Sequence, residues 1–273
     1  MFDAHLRRWR LQAAGDVLST PSAELQPVLT ASGLPAMLKR TRAVEELAGF
    51  ALLQWWDGDG AAPVVARDGD VLLMVRAVGQ GDLLQWSLQD DEGDAAANQV
   101  ICDVLARLHA PRPAPPPLQP VARWFAALDA HGSGAGGLFA ECARLAQHLL
   151  RSARQDDMVP LHGDCHHRNV LDFGQRGWLA IDPKDRCGDR GFDYALILCN
   201  PDLPHAVQPQ RFARRLPQVA ARAGIAPARL ARWTAARAAL SAVWFLEDGA
   251  SGGAQHQMDM ARTALHWLQQ ADA

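Results

Sequence analysis

Leu161-His162-Gly163-Asp164-Cys165-His166-His167-Arg168-Asn169-Val170-Leu171, with Trp178-Leu179-Ala180-Ile181-Asp182-Pro183 close behind it, is the stretch from which the fold of this chain can be read. Asp164 precedes Asn169 by five positions, and Asp182 follows Asn169 by thirteen. That interval has room for a short hairpin that returns Asp182 to the side of the loop. Between them, Asp172-Phe173-Gly174 starts only three residues after Asn169, too soon for a hairpin to intervene. It reads as a strand end entering a turn at Gly174-Gln175-Arg176-Gly177. His162, Cys165, His166 and His167 are zinc-type ligand residues, but adjacent histidines point apart in most conformations and the spacing does not converge on one ion. Cys165 has no identifiable partner that would make it a nucleophile, and His162 reads as a packing or hydrogen-bonding residue of the loop.

The Asp-x4-Asn spacing with a later Asp resembles the catalytic loop of protein kinases, in which a base Asp precedes a metal-binding Asn and a second metal-binding Asp follows. Asp172-Phe173-Gly174 spells the kinase metal tripeptide but is misplaced for it, so Asp182 is the expected metal ligand. Gly163 stands where protein kinases carry Arg, which is similar to the aminoglycoside phosphotransferase group instead. Upstream, Leu34-Pro35-Ala36-Met37-Leu38-Lys39 is an apolar strand ending in Lys. It resembles the strand that presents the phosphate-binding Lys of kinases. A strand-end lysine reaching for water is the ordinary alternative. Ala43 to Trp56 has helical composition, with Glu45 and Glu46 in its first turn. The helix dipole favours acids there on any account. Glu46 is the expected ion-pair partner of Lys39, with Glu45 as the other candidate.

Residues 1–35 read as short segments broken by turns, among which a nucleotide-covering hairpin would have to use Ser19, Thr20, Ser22 and backbone amides, because the glycine-rich kinase signature is absent. Pro63-Val64-Val65-Ala66 and Val71-Leu72-Leu73-Met74-Val75 read as strands joined at Asp68-Gly69. By position, Val75 to Ala77 would be the hinge whose backbone meets adenine. Ala95 to His109 is an amphipathic helix, followed by the proline-rich connector Pro111 to Pro120. Two helices, Trp124 to Ala130 and Leu138 to Arg154, flank a flexible Gly132-to-Gly137 spacer. Asp193, after Gly188-Asp189-Arg190-Gly191-Phe192, reads as a cap or buttress of the loop, as a comparable Asp is in kinase-like folds, with a catalytic role as the alternative. The tail from Pro209 to Leu268 is mostly helical, with breaks near Gly224–Pro227 and Gly249–Gly253.

Five stretches in chain order carry a narrower resemblance: Glu46-Leu47-Ala48-Gly49, Trp56-Asp57-Gly58-Asp59-Gly60-Ala61, Leu161-His162-Gly163-Asp164, Gly177-Trp178-Leu179-Ala180-Ile181-Asp182-Pro183-Lys184 and Ser241-Ala242-Val243-Trp244. On these the chain is similar to the aminoglycoside/hydroxyurea antibiotic resistance kinases, a family that includes streptomycin 6-phosphotransferases. The resemblance implies an α+β, two-lobed protein-kinase-like fold. A small β-rich N-lobe would span residues 1–76, and a larger, mainly helical C-lobe residues 77–273 with the catalytic loop and acceptor site. It implies ATP and Mg²⁺ as cofactors, Asp164 as the base, Asn169 and Asp182 as metal ligands, and Lys39, Glu46, Val75 and Ala77 as nucleotide-binding positions. For a cationic small-molecule acceptor such as streptomycin, Glu247, Asp248 and Asp189 are the candidate substrate carboxylates, since guanidinium groups favour bidentate carboxylates. An exposed acidic helix end is the alternative account of Glu247 and Asp248. Arg186-Cys187 and Phe192 depart from the smaller or more apolar residues common in relatives, which bears on the substrate.

The bulk properties are compatible with this. A net charge of −3 over 273 residues gives no basic footprint for nucleic acid. The Met-Phe-Asp-Ala-His start lacks an apolar signal stretch, no run is long enough to cross a membrane, and five scattered cysteines suggest reduced thiols. A cytoplasmic, monomeric or weakly dimeric enzyme is the expectation. A metabolic kinase for an amino alcohol or sugar, and a non-catalytic nucleotide-binding protein of kinase fold, are the competing readings. The joint presence of Lys39, Asp164, Asn169 and Asp182 counts against the second.

Overall fold

Alternation of side chains along the N-terminal strands sorts them between two apolar layers. The computed structural model describes residues 2–20, 22–201 and 205–271. Helix α1 (Asp3–Arg8) is followed by β1 (Gln12–Ala13), β2 (Leu18–Ser19), β3 (Ala23–Leu29), β4 (Pro35–Thr41), α2 (Val44–Trp56), β5 (Val64–Asp68) and β6 (Val71–Val75). The strands form one antiparallel sheet in the order β1-β3-β4-β6-β5, with β2 also pairing with β3. All five residues of β6 are buried, because both faces are covered. Val71 and Leu73 join Leu38, Ala36, Val28 and Phe2 on the α1 side. Leu72 and Met74 face the main core with Phe50, Leu52 and Leu53 of α2. Burying each such large side chain contributes roughly 1.5–3 kcal/mol.

Helix α1 departs from the turn-broken reading of residues 1–35. Phe2, Leu6 and Trp9 recur at helical spacing and pack on one face of the sheet.

The remainder is mainly helical: α3 (Leu83–Gln89), α4 (Asp91–Leu108), β7 (Gln119–Pro120), α5 (Ala122–Ala135), α6 (Gly137–Arg151), β8 (Met158–Leu161), β9 (Val170–Asp172), β10 (Trp178–Ala180), β11 (Arg186–Asp189), α7 (Gly191–Cys199), α8 (Pro209–Ala223), α9 (Pro227–Glu247) and α10 (Ser251–Ala271). The expected Gly132-to-Gly137 spacer is another departure. Helix α5 runs through it to Ala135, and the chain breaks only at Gly136. Gly132 is buried against the backbone of Phe139 and Ala140, so its missing side chain permits close helix packing. Helix α9 is the hub, packed against α5, α6, α7, α8 and α10. One apolar cluster continues from the underside of the sheet through α2 into this helical region. No helix among the described residues is long and apolar enough to cross a membrane.

Candidate active site

The loop after β8 is held by a buried carboxylate. Asp193, in the first turn of α7, accepts from the His162 and Gly163 amides, each at 2.8 Å, and meets His109 Nε2 at 2.9 Å. Burial alone would raise the Asp193 carboxyl. The His109 hydrogen bond and charge, with His162 and the Gly163 amide, hold it below the usual carboxylate range. The His162 ring stacks on Trp56, and burial pushes its pKa down against the charges of Asp193 and Asp164. A neutral ring with its proton on Nε2 fits both contacts: Nε2 donates to the Ile181 carbonyl at 2.8 Å, and Nδ1 accepts from the Asp164 amide at 3.2 Å. The loop and the strand that delivers Asp182 are thereby joined through one imidazole. Burial also drives the Cys165 thiol well above its ordinary value, leaving it protonated and unreactive.

The β9–β10 hairpin pairs Leu171 with Leu179 and Val170 with Ala180. Directly beyond it the Ile181 amide donates to the Asn169 carbonyl at 2.9 Å, which brings Asp182 back beside the loop. Asp182 adopts a left-handed backbone conformation (φ +58°). For a residue with a side chain this costs on the order of 1 kcal/mol, and such strain clusters at functional sites. Asn169 Nδ2 donates to the Asp164 carbonyl at 2.9 Å and lies 3.2 Å from its Oδ2. The amide oxygen of Asn169 is therefore the end that can serve as a ligand.

From the sheet, β4 presents Lys39 with only 3% of its surface exposed. Its Nζ lies 2.7 Å from Glu46 Oε2 and 2.8 Å from Asp182 Oδ1. Burial works to raise the Glu46 carboxyl, but hydrogen bonds from Lys39 and Ser22 and the charges of Lys39 and Lys184 hold it below its ordinary value. Glu45 turns the other way, to Trp124 Nε1 at 3.1 Å and to Arg186. Helix α2 reaches this position because Gly49 has no side chain: a Cβ there would lie 1.9 Å from the Pro183 carbonyl oxygen. Ser19, Thr20 and Ser22 line a cavity of about 250 Å³ with Arg40 and Arg42, at the turn between β2 and β3.

Asp172 lies elsewhere. Its carboxylate accepts from the Gly81 amide at 3.0 Å and the Gly174 amide at 2.8 Å, and its carbonyl accepts from Gly79 at 2.9 Å. It anchors the segment after β6. Of the two expected hinge positions, Val75 ends strand β6. Its amide donates to the Pro63 carbonyl at 2.9 Å and its side chain is buried, so any contact from it to a base would have to come from its carbonyl. Ala77, beyond the last sheet hydrogen bond, is half-buried.

Asn169 and Asp182 carry hard oxygen donors on segments joined by the hydrogen bond from the Ile181 amide to the Asn169 carbonyl. Among the described residues no group of three or more His, Cys, Asp or Glu side chains could hold a metal. A two-donor set fits Mg²⁺, which takes one or two protein ligands and completes its shell with phosphate oxygens and water.

A cavity of about 510 Å³ opens beside Asp164, walled by Trp124 and Trp244 and carrying Glu45, Lys184, Arg237, Ser241, Glu247 and Asp248. Two of the three expected substrate carboxylates, Glu247 and Asp248, line it. Asp189 does not: it is 2% exposed, paired with Arg229 and accepting from the Gly191 amide at 2.8 Å. A carboxylate so consumed cannot receive a ligand. Trp124, Lys184 and Arg237 went unnoticed as site residues. The signal on α9 was present: Arg237, Ser241, Trp244 and Asp248 recur at one-face helical spacing.

Residues 8–249 match the sequence profile described as aminoglycoside/hydroxyurea antibiotic resistance kinase. The chain belongs to that family. It is a phosphotransferase with an alcohol group as acceptor. It is 48% identical to a streptomycin 3''-kinase from Klebsiella pneumoniae over 95% of this chain and 98% of that protein. With a streptomycin 6-kinase from Streptomyces griseus it shares 30% identity over 93% of this chain and 85% of that one. The solved structure of an amicoumacin kinase in complex with AMP-PNP and Ca²⁺ superposes with a TM-score of 0.68 at 14% identity, covering 95% of this chain and 92% of that chain. This kinase carries the two-lobed protein-kinase-like fold.

Proposed function

We propose that this kinase transfers the γ-phosphate of Mg²⁺-ATP to the 3'' hydroxyl of streptomycin. The observation that carries the acceptor reading is one cavity uniting Asp164 with the exposed carboxylates of Glu247 and Asp248, bordered by Trp124 and Trp244, which pack edge to face at 5.3 Å. Carboxylates suit the guanidinium and ammonium groups of an aminoglycoside, and the indole faces add cation–π attraction. The 3'' position is favoured over the 6 position by identity of 48% with a 3''-kinase against 30% with a 6-kinase.

In this reading Asp164 accepts the proton of the attacking hydroxyl as its oxygen bonds to the γ-phosphorus and the bond to the β–γ bridging oxygen breaks, releasing ADP. Asn169, through Nδ2, holds the Asp164 carboxylate in orientation. Lys39 contributes a buried cation to the α- and β-phosphates, and Glu46 fixes its position. Asn169 and Asp182 would hold Mg²⁺, which when bound neutralises charge on the phosphates. Ala77 is the backbone position offered to adenine. The division into a nucleotide-binding lobe, residues 1–76, and an acceptor lobe, residues 77–273, follows from the same reading.

Incubation of the protein with Mg²⁺-ATP and streptomycin, with product mass, NMR assignment of the phosphorylated carbon and an Asp164→Ala control, tests this. Phosphate at 3'', lost in the control, is expected. Phosphate at position 6 would overturn the regiochemistry alone. No transfer despite saturable nucleotide binding would overturn the acceptor and direct attention to amino alcohols and sugars.

A further inference from the structure

Glu45 and Glu46 are neighbours in the first turn of α2 but serve different places. Glu46 is buried against Lys39, whereas the Glu45 side chain is 48% exposed and lines the cavity that contains Asp164. One oxygen of Glu45, Oε1, takes both of its protein contacts: the Trp124 indole N–H donates to it at 3.1 Å, and Arg186 donates to it from Nη2. Arg186 is itself clamped, with its guanidinium carbon 4.3 Å from the Trp124 ring centroid and its Nη1 on Asp185. The Glu45 carboxylate is therefore aimed before any ligand arrives. Its Oε2 has no hydrogen bond or ion pair among the described residues. Asp189 differs, because Oδ1 is engaged by the Gly191 amide and Oδ2 by Arg229. Glu45 and Asp185 also share the one Arg186 guanidinium, so negative charge exceeds positive in this trio, and Glu45 is its exposed member.

The other exposed acids of the cavity stand on a different element. Glu247 and Asp248 follow Trp244 by three and four positions, at the end of α9, whereas Glu45 is joined to Trp124 of α5. Trp124 and Trp244 pack edge to face at 5.3 Å, so the two sets of acids are attached to opposite members of one aromatic pair. An acceptor with two separated cationic groups can engage both sets. One with a single cation can engage only one of them.

We propose that Glu45 is a specificity-determining residue whose Oε2 receives one cationic group of the acceptor while Glu247 and Asp248 receive another. The acceptor class is then a polyol bearing at least two ammonium or guanidinium groups, and a monocationic amino alcohol is disfavoured. Contacts from two helices, α2 and α9, fix the orientation of the acceptor as one contact could not, and that orientation decides which hydroxyl meets Asp164. The assignment rests on the reading of this cavity as the acceptor site.

The test compares wild type, Glu45→Gln and the Glu247→Gln, Asp248→Asn double variant on streptomycin and on analogues in which one cationic group at a time is replaced by a neutral ureido or hydroxyl group. Glu45→Gln keeps an oxygen for Trp124 and Arg186 and removes only the charge; Glu45→Ala repeats the comparison without the carboxyl group. For wild type, one analogue is expected to lose about tenfold in kcat/KM through the acceptor KM, the lower end for a hydrogen bond to a charged group because the carboxylate is half in water. Glu45→Gln should lose a similar factor on streptomycin and show no further loss on that analogue, while still discriminating against a second one. The double variant should show the converse pattern. Wild-type discrimination against every analogue retained in Glu45→Gln, or a loss that falls on the KM for ATP instead of the acceptor, would overturn the proposal. So would a wild type indifferent to all the replacements. A wild-type enzyme inactive on streptomycin itself would instead overturn the acceptor reading, and this assignment with it.

Discussion

The proposed phosphate-side cluster and the proposed acceptor cavity both approach Asp164 but are built on opposite principles. Around Lys39 each charge has a protein partner: Glu46 at 2.7 Å, Asp182 at 2.8 Å, and Lys184 at 3.9 Å from Glu46. In the cavity, Glu247 and Asp248 are exposed and no ion pair to either is found among the described residues. The contrast teaches where each kind of precision is needed. Phosphoryl transfer requires groups fixed in advance, because alignment and charge neutralisation do nearly all of the work. Acceptor choice requires groups left incomplete, so that the right ligand completes them and the wrong one leaves them unpaired.

Several variants break or sharpen this contrast. Asp164→Ala, at the junction, is expected to lower kcat by about 100- to 10,000-fold, the usual worth of a positioned base. Nucleotide binding should survive, as nucleotide titration would show; an active variant would refute the assigned base. Asp182→Ala should weaken Mg²⁺-dependent nucleotide binding on the order of 100-fold, whereas Asp172→Ala should leave it within a few-fold. Titrating Mg²⁺-ATP into both variants decides between the aspartates, and the reverse pattern would show that the wrong one had been chosen. Glu46→Gln should reduce kcat/KM for ATP roughly tenfold by loosening Lys39, while Glu45→Gln should change only the acceptor KM. Steady-state kinetics with each substrate varied would separate them.

Stability should also fall in mild acid. Burial holds the His162 and His167 rings below the ordinary histidine value of 6.5, so the folded state keeps them neutral where the unfolded chain takes up protons. Below that pH each therefore removes up to about 1.4 kcal/mol per pH unit until its folded-state pKa is reached. Asp193, held below its ordinary value of 3.8, begins to withdraw its contribution only from there downward. Urea unfolding between pH 8 and 5 should show the decline, with a shallower slope for His167→Gln; a flat profile would contradict it. The smallest effect belongs to the open side. Glu247→Gln with Asp248→Asn should raise the acceptor KM about three- to tenfold with kcat unchanged, and less at high salt, because exposed charges are screened.

Legibility followed locality. The loop from His162 to Asn169 and the return to Asp182 lie within one short segment, so spacing alone suggested their convergence. Lys39 and Glu46 are close in sequence, and strand followed by helix left them few ways to meet. Glu45 or Glu46 could not be chosen in advance because both occupy the first turn of α2. The direction of that turn depends on Gly49 seating against Pro183. Asp189 and Arg237 show the same limit from two sides. An acid near the kinase-like stretch looked available but is paired with Arg229, and an arginine on a tail helix looked unremarkable but is buried at the edge of the cavity.

The sequence by itself determined the kinase-like reading, through local motifs that resemble a known family, and suggested the proposed phosphate-side residues, because those motifs and their spacing lie within short segments. Only the tertiary structure decided the shape and lining of the proposed acceptor cavity. Its walls come from α2, α5, the catalytic loop and α9, and whether a charge there is spent or free depends on partners far away in the chain.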